Sequence, residues 1–176
     1  TYTYEVRESK GSIAGVTYAK DPRKLVVKVT DPGDGKLVAT VEADGDDNTF
    51  TNTYKAGGTD QVDISKATEG DARLVKVLKG RDWKAGDGFE FSIEATGDNK
   101  ADAPMPAPAT VKVSSKDAAS GAKVPFAFDK VSFDKAGTYT YEVRESKGSI
   151  AGVTYDGHTA TITVKVTDDG LGKLKA

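Results

Sequence analysis

Apolar and polar residues alternate with a period of two along most of this chain, and helical periodicity is almost absent. In TYTYEVRE, Tyr139, Tyr141, Val143 and Glu145 share one face, while Thr138, Thr140, Glu142 and Arg144 point the other way. The same rule predicts strands over residues 89–93, 124–128, 158–167, 37–43 and 49–54. Turn sequences punctuate them: DPGDG (31–35), ADGDDN (43–48), KAGDG (84–88), TGDN (96–99) and DKAG (134–137). Many short alternating strands with frequent turns predict an all-β, antiparallel, immunoglobulin-like β-sandwich. The proline-rich APMPAP (103–108) is expected to cross between sheets as an extended, polyproline-like segment.

The pattern also repeats. Residues 1–18 and 138–155 are the same sequence, TYTYEVRESKGSIAGVTY, at an offset of 137. The match continues from VKVTDPGDGKL (27–37) to VKVTDDGLGKL (164–174), and Ala39 corresponds to Ala176. Self-similarity at a fixed offset is the mark of a tandem array, here cut in permuted register. The expected organisation has residues 1–55 as the C-terminal part of one module and residues 56–71 as a linker with a short extended QVDIS piece. Residues 72–176 form the next module without its closing strand, a strand that residues 37–55 are able to supply.

Composition adds exclusions. With 37% hydrophobic and 30% charged residues the chain reads as soluble and globular, and a net charge of -2 provides no basic field for nucleic acid or membrane. The absence of cysteine removes disulfides and thiolate chemistry. No apolar run approaches a membrane span or signal peptide, and the chain does not begin with Met, so targeting and anchoring signals are expected outside it. There is no nucleophile elbow, phosphate loop or histidine metal motif, and the single His158 reads as a surface residue. Asp44, Asp46, Asp47 and Asn48 read as a solvated turn, because the glycine and bidentate Glu of a calcium loop are missing. Trp83 reads as the anchor of a loop on the core. Neither a metal nor a cofactor is expected, nor an enzyme acting on external substrates.

Three polar residues stand where alternation calls for burial. Glu145 ends the apolar face of its strand, Lys76 lies between Leu74 and Leu78, and Asn52 lies between Phe50 and Tyr54. Burying an amine and a carboxylic acid costs several kcal/mol unless they are paired or neutral. Desolvation favours the neutral forms of such groups, and a neutral amine is a nucleophile. Held against the Asn carboxamide, with a protonated Glu on its carbonyl, the amine attacks and expels ammonia in a single turnover. The competing reading is a noncovalent polar cluster or a lysine with its head in water. Lys79 is the alternative amine, but it falls on the other face. Glu142 and Arg144 read as a solvated face.

At these residues the chain resembles the isopeptide-linkage pilin domains of Gram-positive bacteria, typified by streptococcal T-antigen-type major pilins and related surface-protein repeats. The resemblance rests on VKVLKGRDWKAGDGFEFSIEA, PMPAPATVKV, VPFAFDKVSFDKAGTYTYEVRE, GVTYDGHTATITVKV and TFTNTY. It implies Lys76 as the linking lysine, Glu145 and its copy Glu8 as catalytic glutamates, and Asn52 as the linked asparagine. Lys76 and Glu145 then belong to one module, and Asn52 and Glu8 to the preceding one. The expectation for this chain is closure on itself, or on a strand-swapped copy, since the 17 residues 55–71 can reach at most ~55 Å.

The implied role is a structural stalk module of a wall-anchored, extracellular surface protein or pilus, with neighbouring modules of the same chain as partners. A cross-link between first and last strands would add roughly 4–5 kcal/mol if loop-closure estimates transfer. The alternative is an adhesin module that binds a host protein or glycan.

Overall fold

Threonine, valine and aromatic residues in alternation fold here as strands, and no described residue is helical. The structure, a computed structural model, describes residues 1–43, 49–67 and 73–176. The chain divides into two units, Thr1–Ala56 and Gly57–Ala176. The acidic turn at Asp44, Asp46, Asp47 and Asn48 lies outside the described residues, as does the end of the expected linker.

In the first unit, β1 (Tyr2–Val6), β3 (Arg23–Thr30) and β4 (Val38–Ala43) form an antiparallel sheet in the order β1-β3-β4. The short β2 (Val16–Thr17) pairs with β5 (Thr53–Tyr54). Within the predicted strand 49–54, only these last two residues are strand.

In the second unit a five-stranded antiparallel sheet runs β12-β11-β10-β7-β8. Its members are β7 (Phe89–Thr96), β8 (Thr110–Val113), β10 (Gly137–Glu145), β11 (Thr159–Asp168) and β12 (Leu174–Lys175). The facing layer holds the antiparallel pair β6 (Val75–Val77) and β9 (Lys123–Pro125), together with the bonded but irregular segments around them. This is an immunoglobulin-like sandwich. Phe89, Phe91, Ile93, Tyr139, Tyr141 and Val143 fill it from one sheet, and Leu78, Phe128, Val131 and Phe133 from the other side. Ring contacts join the layers: Phe91 stacks on Phe126 at 4.3 Å and Phe133 meets Tyr139 at 4.8 Å. The APMPAP segment runs without strand pairing, and its Pro104 carbonyl accepts the Tyr141 hydroxyl at 2.9 Å.

The described part of the stretch 56–71, read from sequence as a linker, does more than connect. Gly57 donates to the Gly172 carbonyl at 2.9 Å, Val62 and Val131 form an antiparallel bridge, and Ile64 and Ser65 are buried. Its large apolar residues, Val62 and Ile64, alternate with polar ones over too short a run to announce a strand, yet Ile64 joins the core and Val62 is half-buried beside it.

Identical sequence meets two environments. Tyr4 is 53% exposed, whereas its repeat counterpart Tyr141 is 0% exposed. Among the described residues of the first unit, nothing plays the part of Phe89, Phe128 and Phe133 over this face.

At one end of the second unit, Gly86 takes φ +94, a conformation that glycine adopts without strain. The turn aims Asp87 at Arg81, whose guanidinium donates two hydrogen bonds at 2.7 and 3.0 Å, and the Lys84 N–H adds a third at 2.8 Å. Trp83 is buried beside this pair, its ring edge-on to Phe89 at 5.1 Å. Arg81, then the Lys84 N–H, hold the Asp87 carboxyl down at about 2, below its ordinary 3.8. Because the folded value is the lower one, the stabilisation is full above the ordinary value and is lost as pH falls towards the folded value. The urea midpoint of Asp87→Asn is therefore expected to trail the parent by a constant gap above about pH 5, and the gap should narrow steadily on acidification.

Candidate isopeptide site

β6 puts Lys76 inward because Leu74, Lys76 and Leu78 share the face that packs on the large sheet. The residue is 8% exposed. Its Nζ lies 2.6 Å from Glu145 Oε1 and 4.4 Å from the centre of the Phe89 ring. An amine over a ring face gains from the ring quadrupole, more so away from water.

Glu145 arrives as the last residue of β10, opposite Phe91 on β7. The Ser146 N–H donates to the Glu90 carbonyl at 2.8 Å and fixes that strand end. The Glu145 side chain is 2% exposed, and its Oε2 accepts the Asp156 N–H at 2.8 Å. The intervening loop is shaped by a close approach. A Cβ on Gly148 would stand 2.5 Å from the Tyr155 hydroxyl, which accepts the Ile150 N–H at 3.0 Å. Tyr155 then leans on Phe89, 5.7 Å between ring centres. A cavity of about 210 Å³ opens onto Lys76 and Glu145, walled by Phe91, Phe126 and Val143.

The first unit repeats half of this arrangement around Glu8. Glu8 Oε2 accepts the Ala19 N–H at 3.1 Å, eleven residues on, as Glu145 accepts that of Asp156. Its Oε1 accepts the Asn52 amide nitrogen at 2.7 Å, and the Ala19 N–H also donates to Asn52 Oδ1 at 2.9 Å. Asn52 is exposed, although alternation placed it on a covered face, because the first unit presents no described layer over it.

The four sequence-predicted residues thus fall into two pairs. Lys76 and Glu145 meet in the second unit, and Glu8 and Asn52 in the first. Within the first unit Asn52 makes its hydrogen bonds to Glu8 and Ala19. The same carboxyl oxygen, Oε1, contacts the amine in one copy and the amide nitrogen in the other. In the first unit a backbone N–H takes the Asn52 carbonyl, and the Glu8 carboxylate, an acceptor, takes the NH₂.

The other readings can be placed as well. Lys79 is exposed, as are Arg144 and His158, and Arg144 pairs with Glu94 at 3.1 Å and with Glu142. No cluster of metal-ligating side chains occurs among the described residues. Two contributors were missed from sequence: the backbone N–H of Ala19 or Asp156, which carries no side-chain signal, and Phe89 beneath the amine.

A family model described as FctA, Spy0128-like isopeptide containing domain, matches residues 1–55 and 72–176. No curated protein and no solved structure matches the chain.

Proposed function

Because the chain belongs to the FctA family of Spy0128-like isopeptide containing domains, we propose that it is a shaft module of an extracellular, wall-anchored protein or pilus of a Gram-positive bacterium. We infer that the module is braced by a self-formed bond between the Lys76 amine and an asparagine on an F-x-N-x-Y strand. The observation that carries this is the buried Lys76–Glu145 contact at 2.6 Å beside an open cavity.

The chemistry follows from the two copies taken together. The amine nitrogen attacks the carboxamide carbon, and a backbone N–H donor in the place of Ala19 steadies the charge that grows on Oδ1. Glu145 Oε1 first takes a proton from the Lys76 ammonium, which frees the nitrogen to attack; it then relays one proton from the new C–N nitrogen to the departing NH₂ and ends as the acid. One C–N bond forms, one breaks, and ammonia leaves. No cofactor enters the balance, and the protein is its own substrate, so no turnover on external molecules results. Such a bond lets pulling force pass between the first and last strands without loading the fold.

Ala176 corresponds to Ala39 in the repeat, which makes a direct test simple. Appending residues 40–55 a second time behind Ala176 should yield a chain lighter than its composition by one ammonia. Tryptic fragments should be joined at Lys76, and Glu145→Ala should retain the full composition mass. A full-mass parent with a folded second unit would end the reading.

A further inference from the structure

The second unit carries an unfilled track for one strand, and we propose that residues 40–54 of a second copy of this chain fill it, running on from the places that Lys175 and Ala176 already hold. In the first unit, β3 pairs with β4 along its length, Leu25 opposite Ala43 through Thr30 opposite Val38. The repeat counterpart of β3 is β11, which pairs with β12 only at Thr167 and Asp168. That short pairing is already in register, since Thr167 opposite Lys175 corresponds to Thr30 opposite Val38. Beyond it, residues Thr161–Lys165 of β11 line a groove of about 720 Å³.

The track continues. The 210 Å³ cavity at Lys76 and Glu145 stands where Asn52 stands against Glu8. A further groove of about 490 Å³ separates Lys76–Lys79 from Val153–Gly157. In the first unit, Val16 and Thr17, the counterparts of Val153 and Thr154, pair with Tyr54 and Thr53. Three grooves in series thus match the three places taken in the first unit by residues 40–43 beside β3, by Asn52 against Glu8, and by Thr53 and Tyr54 beside β2.

Chain reach decides which copy supplies the strand. Lys55 N–H donates to the Gly15 carbonyl at 2.9 Å, so a docked residue 55 belongs at Gly152. Gly57 of the accepting chain is bonded at Gly172 and Leu174. These two places lie past opposite ends of β11, whose ten residues span about 30 Å. Two residue steps reach only about 7 Å. The chain cannot fill its own track while Gly57 holds its place, and a second copy has no such tether. Donation releases the strand from β3 of its own copy and pairs it with β11, the repeat counterpart of β3, so the pairs given up are replaced by pairs of the same register. The covalent part of this inference rests on the isopeptide reading, whereas the docking part does not.

The test mixes two variants of the whole chain. Asn52→Ala accepts a strand but offers no amide, and Lys76→Met offers the amide but has no amine. Each alone should give no covalent dimer. Their mixture should give a dimer that survives denaturation, lighter by one ammonia, with Lys76 joined to Asn52, and the parent chain should give a concentration-dependent ladder. A noncovalent dimer of the parent that protects the Thr161–Lys165 amides from exchange, without mass loss, upholds strand donation and removes the isopeptide reading. Ammonia loss confined to monomers overturns the proposal, and so does a parent chain that stays monomeric at millimolar concentration.

Discussion

Glu145→Ala is expected to destabilise the second unit by about 3–5 kcal/mol, because it strands the buried Lys76 ammonium over Phe89 with no anion beside it. The double replacement Lys76→Met with Glu145→Leu should come within about 1 kcal/mol of the parent or exceed it, since apolar groups of similar volume often equal a buried ion pair. Urea unfolding followed by selectively excited tryptophan fluorescence reports the second unit alone, because Trp83 is the only tryptophan in the sequence. The coupling between the two positions then comes from the double-mutant cycle. If each single change cost under 1 kcal/mol, the amine and acid would be reaching solvent, and the chemistry built on their isolation would lose its basis. The expected pattern has a further meaning. A pair that apolar residues could replace without loss is a poor stabilising device, and the proposed cross-link gives it a use that stability does not.

Much of this was readable from the residues, and what was not has identifiable causes. Alternation placed Tyr139, Tyr141, Val143 and Glu145 on one face, and the structure has these side chains inside, because a covered sheet forces period two on its sequence. Lys76 was legible for the same reason, flanked by Leu74 and Leu78. Alternation names a face but not whether anything covers it. Phe50, Asn52 and Tyr54 carry the same pattern, yet Asn52 and Tyr54 are exposed. The predicted strand 124–128 keeps its inward residues, but only Lys123–Pro125 pairs as strand; past it the Phe126 N–H still donates to the Leu74 carbonyl, and the Phe128 N–H turns to the Ser65 hydroxyl. The role of residues 57–66 depends on bonds to Val131, Phe133 and Gly172, partners more than sixty residues away that no local window contains. The amide donors at Ala19 and Asp156 were invisible because every residue but proline carries one.

The repeat offers a sharper comparison than any single substitution. Tyr141→Ala is expected to cost the second unit about 3–5 kcal/mol, as removal of a large ring from a close-packed core does. Its ring is fully buried and its hydroxyl, pushed up to about 12 chiefly by burial, donates to the Pro104 carbonyl. Tyr141→Phe isolates that hydrogen bond and should cost about 1 kcal/mol. Tyr4→Ala changes the same letter in the same eighteen-residue sequence, and the expected cost to the first unit is within about 0.5 kcal/mol, read from amide exchange along β1 and β3. Local propensity, turn chemistry and strand register are shared by both sites, so the difference measures the opposing layer alone. Equal losses at the two positions would mean that the Tyr2, Tyr4 and Val6 face is covered in solution, and the first unit would then have a layer of its own. A large loss at Tyr141 beside a negligible one at Tyr4 would show that one sequence is core or surface according to whether Phe89, Phe128 and Phe133 stand across from it.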